Sequence, residues 1–400
     1  MPFSLAERVS GISYAIREFV PLALELERKG VKVIYLNIGD PLKYDFDTPD
    51  SVKEALYKAV VEGYNYYSLS EGDYELREAI TKRERKVNGV SISPEDVIIT
   101  QGVSEAINFT FAISVNAGDE VLLPGPSYPL YPVMVHIYGG KPVFYKCDED
   151  SAWAPDVDDV RRKISERTKA IVVINPNNPT GAVYDKNVIK ELLDIAAEHD
   201  VLVISDEIYD RIVFEGEFVS VASLAKDVTA IIFNGFSKAY LMTGWRLGYL
   251  YVMSPREEVK EQMLNALRNM ARTRLCASTP VQRAAIVALE EVDKYILKLV
   301  GKLKERRDYA YKRLSEIPGI RVVKPRGAFY IFPRIPKSKT WRDDREFVLK
   351  LLKEEHVLVV HGSGFGKYGD LHFRSVLLPP INVLEKAFDR IEHFIVKYSK

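Results

Sequence analysis

The stretch Asn234-Gly-Phe-Ser-Lys-Ala-Tyr-Leu-Met-Thr-Gly-Trp-Arg-Leu-Gly248 decides the fold, because it follows directly on the apolar run Ala230–Phe233. A short apolar run that ends in glycine and serine is typical of a buried strand and the turn after it. Lys238 would then lie at the carboxyl end of a strand, where open α/β sheets bind ligands. Position alone predicts little, because most of the 56 lysines and arginines must be solvated.

Apolar runs of the same kind alternate with amphipathic helices through the central part of the chain. They are mostly too apolar for a sheet with one face in water, so they predict an α/β fold with a sheet covered on both faces. The clearest runs are Val97–Ile99, Glu120–Leu123, Lys141–Tyr145, Ala170–Ile174, Val201–Ser205 and Ala230–Phe233.

The pattern changes past Glu290 and predicts a second, smaller α/β domain. A long charged helix runs through Leu314, and the segments after it alternate between strand and helix. We expect strands near Ile320–Val323, Ala328–Phe332, Val357–Val360 and Leu371–Val376, and a helix near Arg345–Lys353. The expected division is an N-terminal arm with part of the small domain in residues 1–45, a large domain in 46–290 and the small domain in 291–400.

The composition points to a small-molecule partner. With 400 residues, 47% of them hydrophobic, the chain can bury a large core, and its formal net charge of +0 gives no footprint for nucleic acid or an anionic membrane. No apolar run reaches the ~20 residues that span a bilayer. Two cysteines, Cys147 and Cys276, form neither a disulfide framework nor a metal-ligand pattern, so we expect a cytoplasmic protein without a metal.

Three further motifs follow predicted strands, and each also has a purely structural interpretation. Ser205-Asp-Glu-Ile-Tyr209 places Asp206 at a strand end, although a helix N-cap is the better interpretation of Asp206 taken alone. Asn175-Pro-Asn-Asn-Pro-Thr-Gly181 presents side-chain amides, or forms an ordinary tight turn. Gln101-Gly-Val-Ser-Glu105 opens a helix whose free N–H groups can bind phosphate, or is simply a serine-capped helix.

Together with the lysine motif, these elements resemble the fold-type I aminotransferases of the class I/II family, from about Ser13 to Val376. The resemblance implies the fold of the pyridoxal-phosphate-dependent transferases. That fold has a large domain with a mixed seven-stranded sheet and a smaller α/β domain. It also implies pyridoxal 5'-phosphate as cofactor, and an amino acid and a 2-oxo acid as substrates.

The resemblance implies a role for each matching residue. Lys238 is the counterpart of the Schiff-base lysine, which also carries the substrate proton. Asp206 pairs with the pyridinium nitrogen, and Tyr209 with Asn178 binds the phenolic oxygen of the ring. The candidate phosphate ligands are Gly102, Val103, Ser104, Ser237 and Arg246.

Two tyrosines match aromatic positions of the family. Tyr128, in Pro126-Ser-Tyr128, corresponds to the residue that stacks on the ring, although a core tyrosine would look the same. Tyr67, in Asn65-Tyr-Tyr-Ser-Leu-Ser-Glu-Gly72, corresponds to a tyrosine that reaches the phosphate across a dimer interface. The resemblance therefore implies a homodimer with shared active sites.

Arg374, in Leu371-His-Phe-Arg374, matches the arginine that clamps the substrate α-carboxylate, with Asn178 and Gly39 beside it. Taken alone, Arg374 could instead be a charge that protects an edge strand.

Three segments resemble alanine aminotransferases in particular: Ser13-Tyr-Ala-Ile-Arg17, Leu36-Asn-Ile-Gly-Asp40 and Arg274-Leu-Cys-Ala-Ser-Thr-Pro280. Such enzymes pass an amino group between alanine and 2-oxoglutarate. Tyr14 would close over the small side chain, and Arg17 would swing in to bind the second carboxylate. Arg274 is a competing candidate for that carboxylate.

Other functions remain open at this point. Aspartate or broad aromatic specificity is the alternative within the family, and a pyridoxal-phosphate lyase or decarboxylase could share the whole cofactor site. A transcription regulator would need a DNA-binding module, and we expect none. The run His361-Gly-Ser-Gly-Phe-Gly366 looks like a nicotinamide fingerprint, but a strand follows where a helix should open, so we expect a close-approach loop beside Arg374.

Overall fold

The computed structural model describes residues 4–9 and 12–398 of the chain, in which strands and helices alternate. The strands are β1 Ile34–Tyr35, β2 Val97–Thr100, β3 Glu120–Gly125, β4 Lys141–Asp148, β5 Ala154–Pro155, β6 Thr168–Ile174, β7 Leu202–Asp206, β8 Ala230–Gly235, β9 Gly248–Met253, β10 Tyr330–Ile331, β11 Val357–Leu358, β12 Val360–His361 and β13 Phe373–Val376. The α-helices are α1 Val20–Arg28, α2 Asp50–Val61, α3 Tyr74–Asn88, α4 Val103–Ser114, α5 Leu130–Ile137, α6 Val157–Lys163, α7 Lys186–Glu198, α8 Glu257–Thr273, α9 Thr279–Ser315, α10 Asp344–Glu355 and α11 Ile381–Tyr398. Short 3-10 helices include Ala15–Arg17, Thr243–Trp245 and Gly362–Phe365.

The central sheet has eight strands in the order β2-β9-β8-β7-β6-β3-β4-β5. Neighbours from β8 to β4 are parallel, whereas β9 runs antiparallel to both β8 and β2. As a result, β2, β6, β7 and β8 all point the same way. The segments that follow these four strands meet at one edge of the sheet, and all four carry motifs singled out in the sequence.

The prediction of an α/β fold with a mixed sheet is confirmed. The expected seven strands are joined by β5, a two-residue strand that pairs antiparallel with the end of β4. Both faces of the sheet are covered, because the successive residues Ile231 and Ile232 belong to two different apolar clusters. This is why the strands read as continuous apolar runs rather than as alternating ones.

The C-terminal part forms a three-stranded sheet, β10-β13-β12, and a pair in which β1 lies parallel to β11. The expected strand Ile320–Val323 is wrong: only Arg321 makes a bridge, to Arg334. Pro333 and Pro336 flank Arg334, and prolines cannot donate the ladder hydrogen bonds that would extend it.

The expected strand Val357–Val360 is split into β11 and β12, which pair with β1 and β13 respectively. The N-terminal segment is thereby hydrogen-bonded to the C-terminal part of the chain. Helix α9 runs without a break through residue 290, and the three-part division of the chain stays a prediction. None of the helices in the described part of the chain has the length and apolarity that crossing a bilayer requires.

Candidate active site

A cavity of about 540 Å³ lies at the edge of the sheet where these four strands end. Most of the candidate residues from the sequence line it together. They are Tyr14, Arg17, Gly39, Val103, Ser104, Tyr128, Asn178, Asp206, Tyr209, Ser237, Lys238, Arg246 and Arg374. Gly102 and Tyr67 do not line it. The fold therefore brings residues that lie far apart in the chain to one cavity.

Lys238 follows β8 and projects into this cavity, where its Nζ donates a hydrogen bond to the carbonyl oxygen of Gly39 at 2.7 Å. Burial lowers the pKa of the Lys238 amine to about 8, with the attraction of Asp40 opposing it and the repulsion of Arg374 and Arg246 adding to it. A side chain at Gly39 would lie 2.2 Å from the hydroxyl of Tyr330, so only glycine brings its carbonyl this close. The site thus holds an amine that loses its proton far more readily than an ordinary lysine.

Asp206 ends β7, and its buried carboxylate accepts hydrogen bonds from the Tyr131 hydroxyl at 2.9 Å and from the backbone N–H of Ile208 at 3.3 Å. Burial raises the pKa of Asp206 to about 6, although the Tyr131 and Ile208 hydrogen bonds and the charge of Lys238 oppose the shift. The carboxylate is therefore mainly ionised at pH 7. The chain turns after Asp206 instead of starting a helix, so the residue is not a helix cap.

The start of α4 forms a cup for an anion. Gly102 has φ of 76°, and a side chain there would lie 2.6 Å from Nη2 of Arg246. A side chain at Gly248 would lie 2.8 Å from the carbonyl carbon of Gly102, so both glycines let the guanidinium and two backbone segments converge. The first N–H groups of a helix lack partners within it, and Ser104 and Ser237 add hydroxyls. Gly102 is the N-cap residue and has no side chain, so the alternative of a serine-capped helix is wrong.

Two pairs of tyrosines cross the cavity. The hydroxyls of Tyr209 and Tyr330 are 2.7 Å apart, and those of Tyr14 and Tyr128 are 2.9 Å apart. Burial raises the pKa of Tyr209 and of Tyr128 well above that of an ordinary tyrosine. Both phenols therefore stay neutral at physiological pH and can donate hydrogen bonds to a ligand.

Arg374 is held on β13, the middle strand of its sheet, so it is not an edge-strand charge. Its side chain is almost fully buried. Nη1 donates to Oδ1 of Asn178 at 2.9 Å, Nη2 donates to the carbonyl oxygen of Asn37, and the guanidinium lies 4.4 Å from the centre of the Tyr330 ring. Nε of Arg374 has no partner within the described residues. A buried cation with a free N–H donor is suited to bind a carboxylate.

The two candidates for a second carboxylate site differ in their surroundings. Arg17 is exposed at the end of a 3-10 helix and lines the cavity. Arg274 lies outside the cavity and donates to a Glu105 carboxylate oxygen at 3.0 Å, to the Ser70 carbonyl at 3.2 Å and to the Ile99 carbonyl at 2.6 Å. Because Arg274 is engaged in these contacts, the geometry favours Arg17.

Sequence reasoning missed Tyr131, Tyr330 and Asp40, which bind or influence the central groups. Tyr131 stands three residues after Tyr128 at the start of α5, and that helical spacing is a signal that could have identified it. Tyr330 is one of several aromatic residues in an apolar segment, and nothing local distinguishes it from a core residue. Tyr67 is 77% exposed on this chain.

Comparison with known proteins gives consistent matches over nearly the whole length. The family described as aminotransferase class I and II matches residues 31–391. The glutamate-pyruvate aminotransferase AlaA of Haemophilus influenzae is 40% identical over 404 residues, which cover 100% of this chain and 99% of that protein. The structure of an alanine aminotransferase from Pyrococcus furiosus is 55% identical, with a TM-score of 0.96 over 98% of this chain and 100% of that one. The structure of an aspartate aminotransferase double mutant from Thermus thermophilus is 36% identical, with a TM-score of 0.90 over 98% of this chain and 99% of that one.

The environment of Lys238 predicts an unusual pH dependence of its reactivity. In the cofactor-free protein, acylation of Lys238 by a small reagent should rise with pH around a midpoint near 8, because only the neutral amine reacts. Mass spectrometry of the peptide that contains Lys238 measures the rate. A midpoint near the ordinary lysine value of about 10.4 would show that burial does not tune this amine.

Proposed function

The chain belongs to the class I and II aminotransferase family, and we propose that it exchanges an amino group between L-alanine and 2-oxoglutarate to give pyruvate and L-glutamate. The predicted fold type I is confirmed by the match to solved aminotransferases. The observation that carries the proposal is that Tyr14 and Arg17 line the same cavity as Lys238 and Arg374. One cavity thus offers an aromatic contact for a small side chain and a cation for a second carboxylate.

The residues present fit pyridoxal 5'-phosphate, the cofactor on which this family depends. The cup formed by Gly102, the start of α4 and Arg246 has the donors and the space that a phosphate needs. The buried carboxylate of Asp206 has only neutral hydrogen-bond donors and therefore lacks a directly bound cation, which a protonated ring nitrogen would supply. Val103, Ser104, Arg246 and Asp206 line the same cavity as Lys238, so the phosphate donors and the carboxylate suit the two ends of the cofactor.

When bound, the cofactor supplies a conjugated ring that withdraws electrons from the substrate Cα. Asp206, ionised at pH 7, would hold a protonated ring nitrogen, and the neutral phenol of Tyr209 would donate to an oxygen of the ring. The Lys238 amine has a pKa of about 8, so an appreciable fraction is neutral near pH 7 and can accept a proton at Nζ. Lys238 thus serves both as the attachment point and as the group that moves a proton.

The substrate would be held at both ends. Arg374, steadied by Asn178 and Asn37, binds the α-carboxylate through its free Nε–H donor and its positive charge. The exposed side chain of Arg17 has the freedom to turn toward a γ-carboxylate or away from the methyl group of alanine. Tyr14, fixed by its hydrogen bond to Tyr128, closes the side of the pocket next to a small side chain.

We further propose a homodimer in which Tyr67 of one chain reaches the phosphate cup of its partner. The support is that Tyr67, Tyr66 and Leu69 are strongly exposed on the single chain, and that apolar surface of this kind usually marks an interface. The cytoplasmic location stays a prediction from the cysteine content.

Activity across a panel of amino acids tests the proposed reaction. With 2-oxoglutarate as acceptor, kcat/KM should be highest for L-alanine. Lys238→Ala should abolish turnover, because alanine has no amine that can move the proton. Lys226→Ala, which removes an exposed lysine, is the control and should keep full activity. A preference for aspartate or an aromatic amino acid would instead support the alternative specificity within the family.

The role of Arg17 in binding the second carboxylate can be measured separately from the overall activity. Arg17→Ala should raise the KM for 2-oxoglutarate and for glutamate by about 10-fold to 100-fold, the effect of one lost charge-assisted contact, and leave the KM for pyruvate and for alanine within about twofold. Arg28→Ala, an exposed arginine at the end of α1, is the matched control. Unchanged constants for 2-oxoglutarate in Arg17→Ala would exclude Arg17 as the ligand of the second carboxylate.

The shared site can be tested through cofactor affinity. The protein should have twice the chain mass of 45.5 kDa in solution, and Tyr67→Phe should raise the pyridoxal-phosphate concentration for half-maximal activity by about tenfold, since one phosphate hydrogen bond is lost. Tyr57→Phe, at another exposed tyrosine, should have no such effect. A monomeric active enzyme, or equal affinities in both variants, would contradict the proposal.

A further inference from the structure

The glycine-rich segment His361–Gly366, which resembled a nucleotide fingerprint in the sequence, lies against the N-terminal part of the cavity wall. It begins at the end of β12 and forms the 3-10 helix Gly362–Phe365. A side chain at Gly364 would lie 2.1 Å from Cβ of Ala15. Only glycine therefore lets residues 14–18, here called the substrate arm, approach so closely.

Polar contacts fasten the substrate arm to this segment. Nε2 of His361 lies 2.9 Å from a carboxylate oxygen of Glu18, and Nδ1 of the same ring lies 2.9 Å from the Ser363 hydroxyl. Nε of Arg345 donates to the other oxygen of Glu18 at 2.6 Å. Burial by itself would raise the pKa of Glu18, but the hydrogen bonds to His361 and Arg345 outweigh it and hold that pKa below its usual value. The anchored residue, Glu18, is the direct neighbour of Arg17.

The other end of the glycine-rich segment supports the facing wall of the cavity. The carbonyl oxygen of Phe365 accepts a hydrogen bond from the backbone N–H of Ser127 at 2.7 Å. The next residue, Tyr128, is hydrogen-bonded through its hydroxyl to Tyr14. One short segment thus contacts Ala15 and Ser127, the chain neighbours of the hydrogen-bonded pair Tyr14 and Tyr128.

The substrate arm is also tied to the α-carboxylate clamp. Nδ2 of Asn37 donates to the carbonyl oxygen of Ile16 at 2.9 Å, and the carbonyl oxygen of Asn37 accepts from Arg374. A displacement of the arm would therefore change the separation between Arg17 and Arg374. That separation sets the length of dicarboxylate that the cavity can hold.

We propose that His361, Gly364 and Glu18 act as positioning residues for the second-carboxylate site. They hold the backbone of the substrate arm at a distance from Arg374 from which the side chain of Arg17 can reach the second carboxylate of 2-oxoglutarate. The proposal rests on the proposed function, because it assigns a role in binding 2-oxoglutarate. It gives the glycine-rich segment a function that is unrelated to nucleotides. We call the segment His361–Gly366 the seat of the substrate arm. Affinity for pyruvate depends less on the seat, because pyruvate has no group for Arg17 to bind.

The test uses the holoenzyme with Gly364→Ala, Glu18→Ala and the pair His361→Ala and His361→Gln. Each alanine variant should raise the KM for 2-oxoglutarate relative to the KM for pyruvate by about tenfold, with kcat changed much less, and His361→Gln should restore part of the loss because it keeps a hydrogen-bond donor. The matched control is His393→Ala. His393 is an exposed histidine on α11, its Nδ1 lies 2.7 Å from a carboxylate oxygen of Glu355, and its removal should change neither KM nor kcat.

Hydrogen exchange supplies the readout that is independent of catalysis. The backbone N–H groups of Arg17 and Glu18, bonded to Tyr14 and Ala15 in the wild type, should exchange faster in the alanine variants than in the wild type or in His393→Ala. Faster exchange without a change in the ratio of KM values would reduce the seat to a structural contact and overturn the proposal, as would unchanged exchange. A wild-type enzyme with no activity toward 2-oxoglutarate would instead refute the proposed function. If the wild type is active toward 2-oxoglutarate and the variants keep its KM values, the positioning role of the seat would be refuted and the proposed function would stand.

Discussion

Burial of the Lys238 amine is the interaction on which the rest of the site depends. An ammonium group withdrawn from water loses solvation, and this lowers the pKa of Lys238 to about 8. The Lys238 amine can lose a proton readily, yet it still has a hydrogen-bond partner, because the Gly39 carbonyl accepts its hydrogen bond. Gly39 can occupy this place only because it has no side chain, and Tyr330 fills the space that a side chain would take. The chemistry of the lysine is thus set by residues from three separate segments.

The other polar groups of the cavity follow the same rule, in which each buried group is held by a partner from a different element. Tyr131 of α5 holds Asp206 of β7, and Asn178 holds Arg374 of β13. Such pairs fix the side chains before a ligand arrives, so little reorganisation is needed on binding. Arg17 is the exception, since it is exposed on a short helix. The proposed reaction places a methyl group or a carboxylate in the same pocket, and a fixed cation at Arg374 with an exposed one at Arg17 suits both.

Much of this arrangement could be predicted from local sequence, and the remainder could not for identifiable reasons. Apolar strands followed by polar turns located Lys238, Asp206 and the Gly102 loop, because a parallel sheet brings such turns to one edge. Tyr330 and the seat formed by His361–Gly366 could not be placed, because their roles arise from contacts with residues 14–39, more than 290 positions away. The sequence predicts a close-approach loop around Gly364, but local pattern does not identify Ala15 as the residue that packs against it. Pairing across such distances is decided by packing rather than by local pattern.

A single turnover of the half-reaction tests the central claim most directly, since it reports what happens to the amino group when Lys238 acts. Holoenzyme mixed with L-alanine and no 2-oxo acid should release one equivalent of pyruvate per chain and retain the nitrogen, and later addition of 2-oxoglutarate should release one equivalent of glutamate. This stoichiometry, with no free ammonia, is the result expected if Lys238 takes part in amino-group transfer. Release of ammonia or carbon dioxide from alanine, or no pyruvate at all, would contradict the assignment of Lys238 to amino-group transfer.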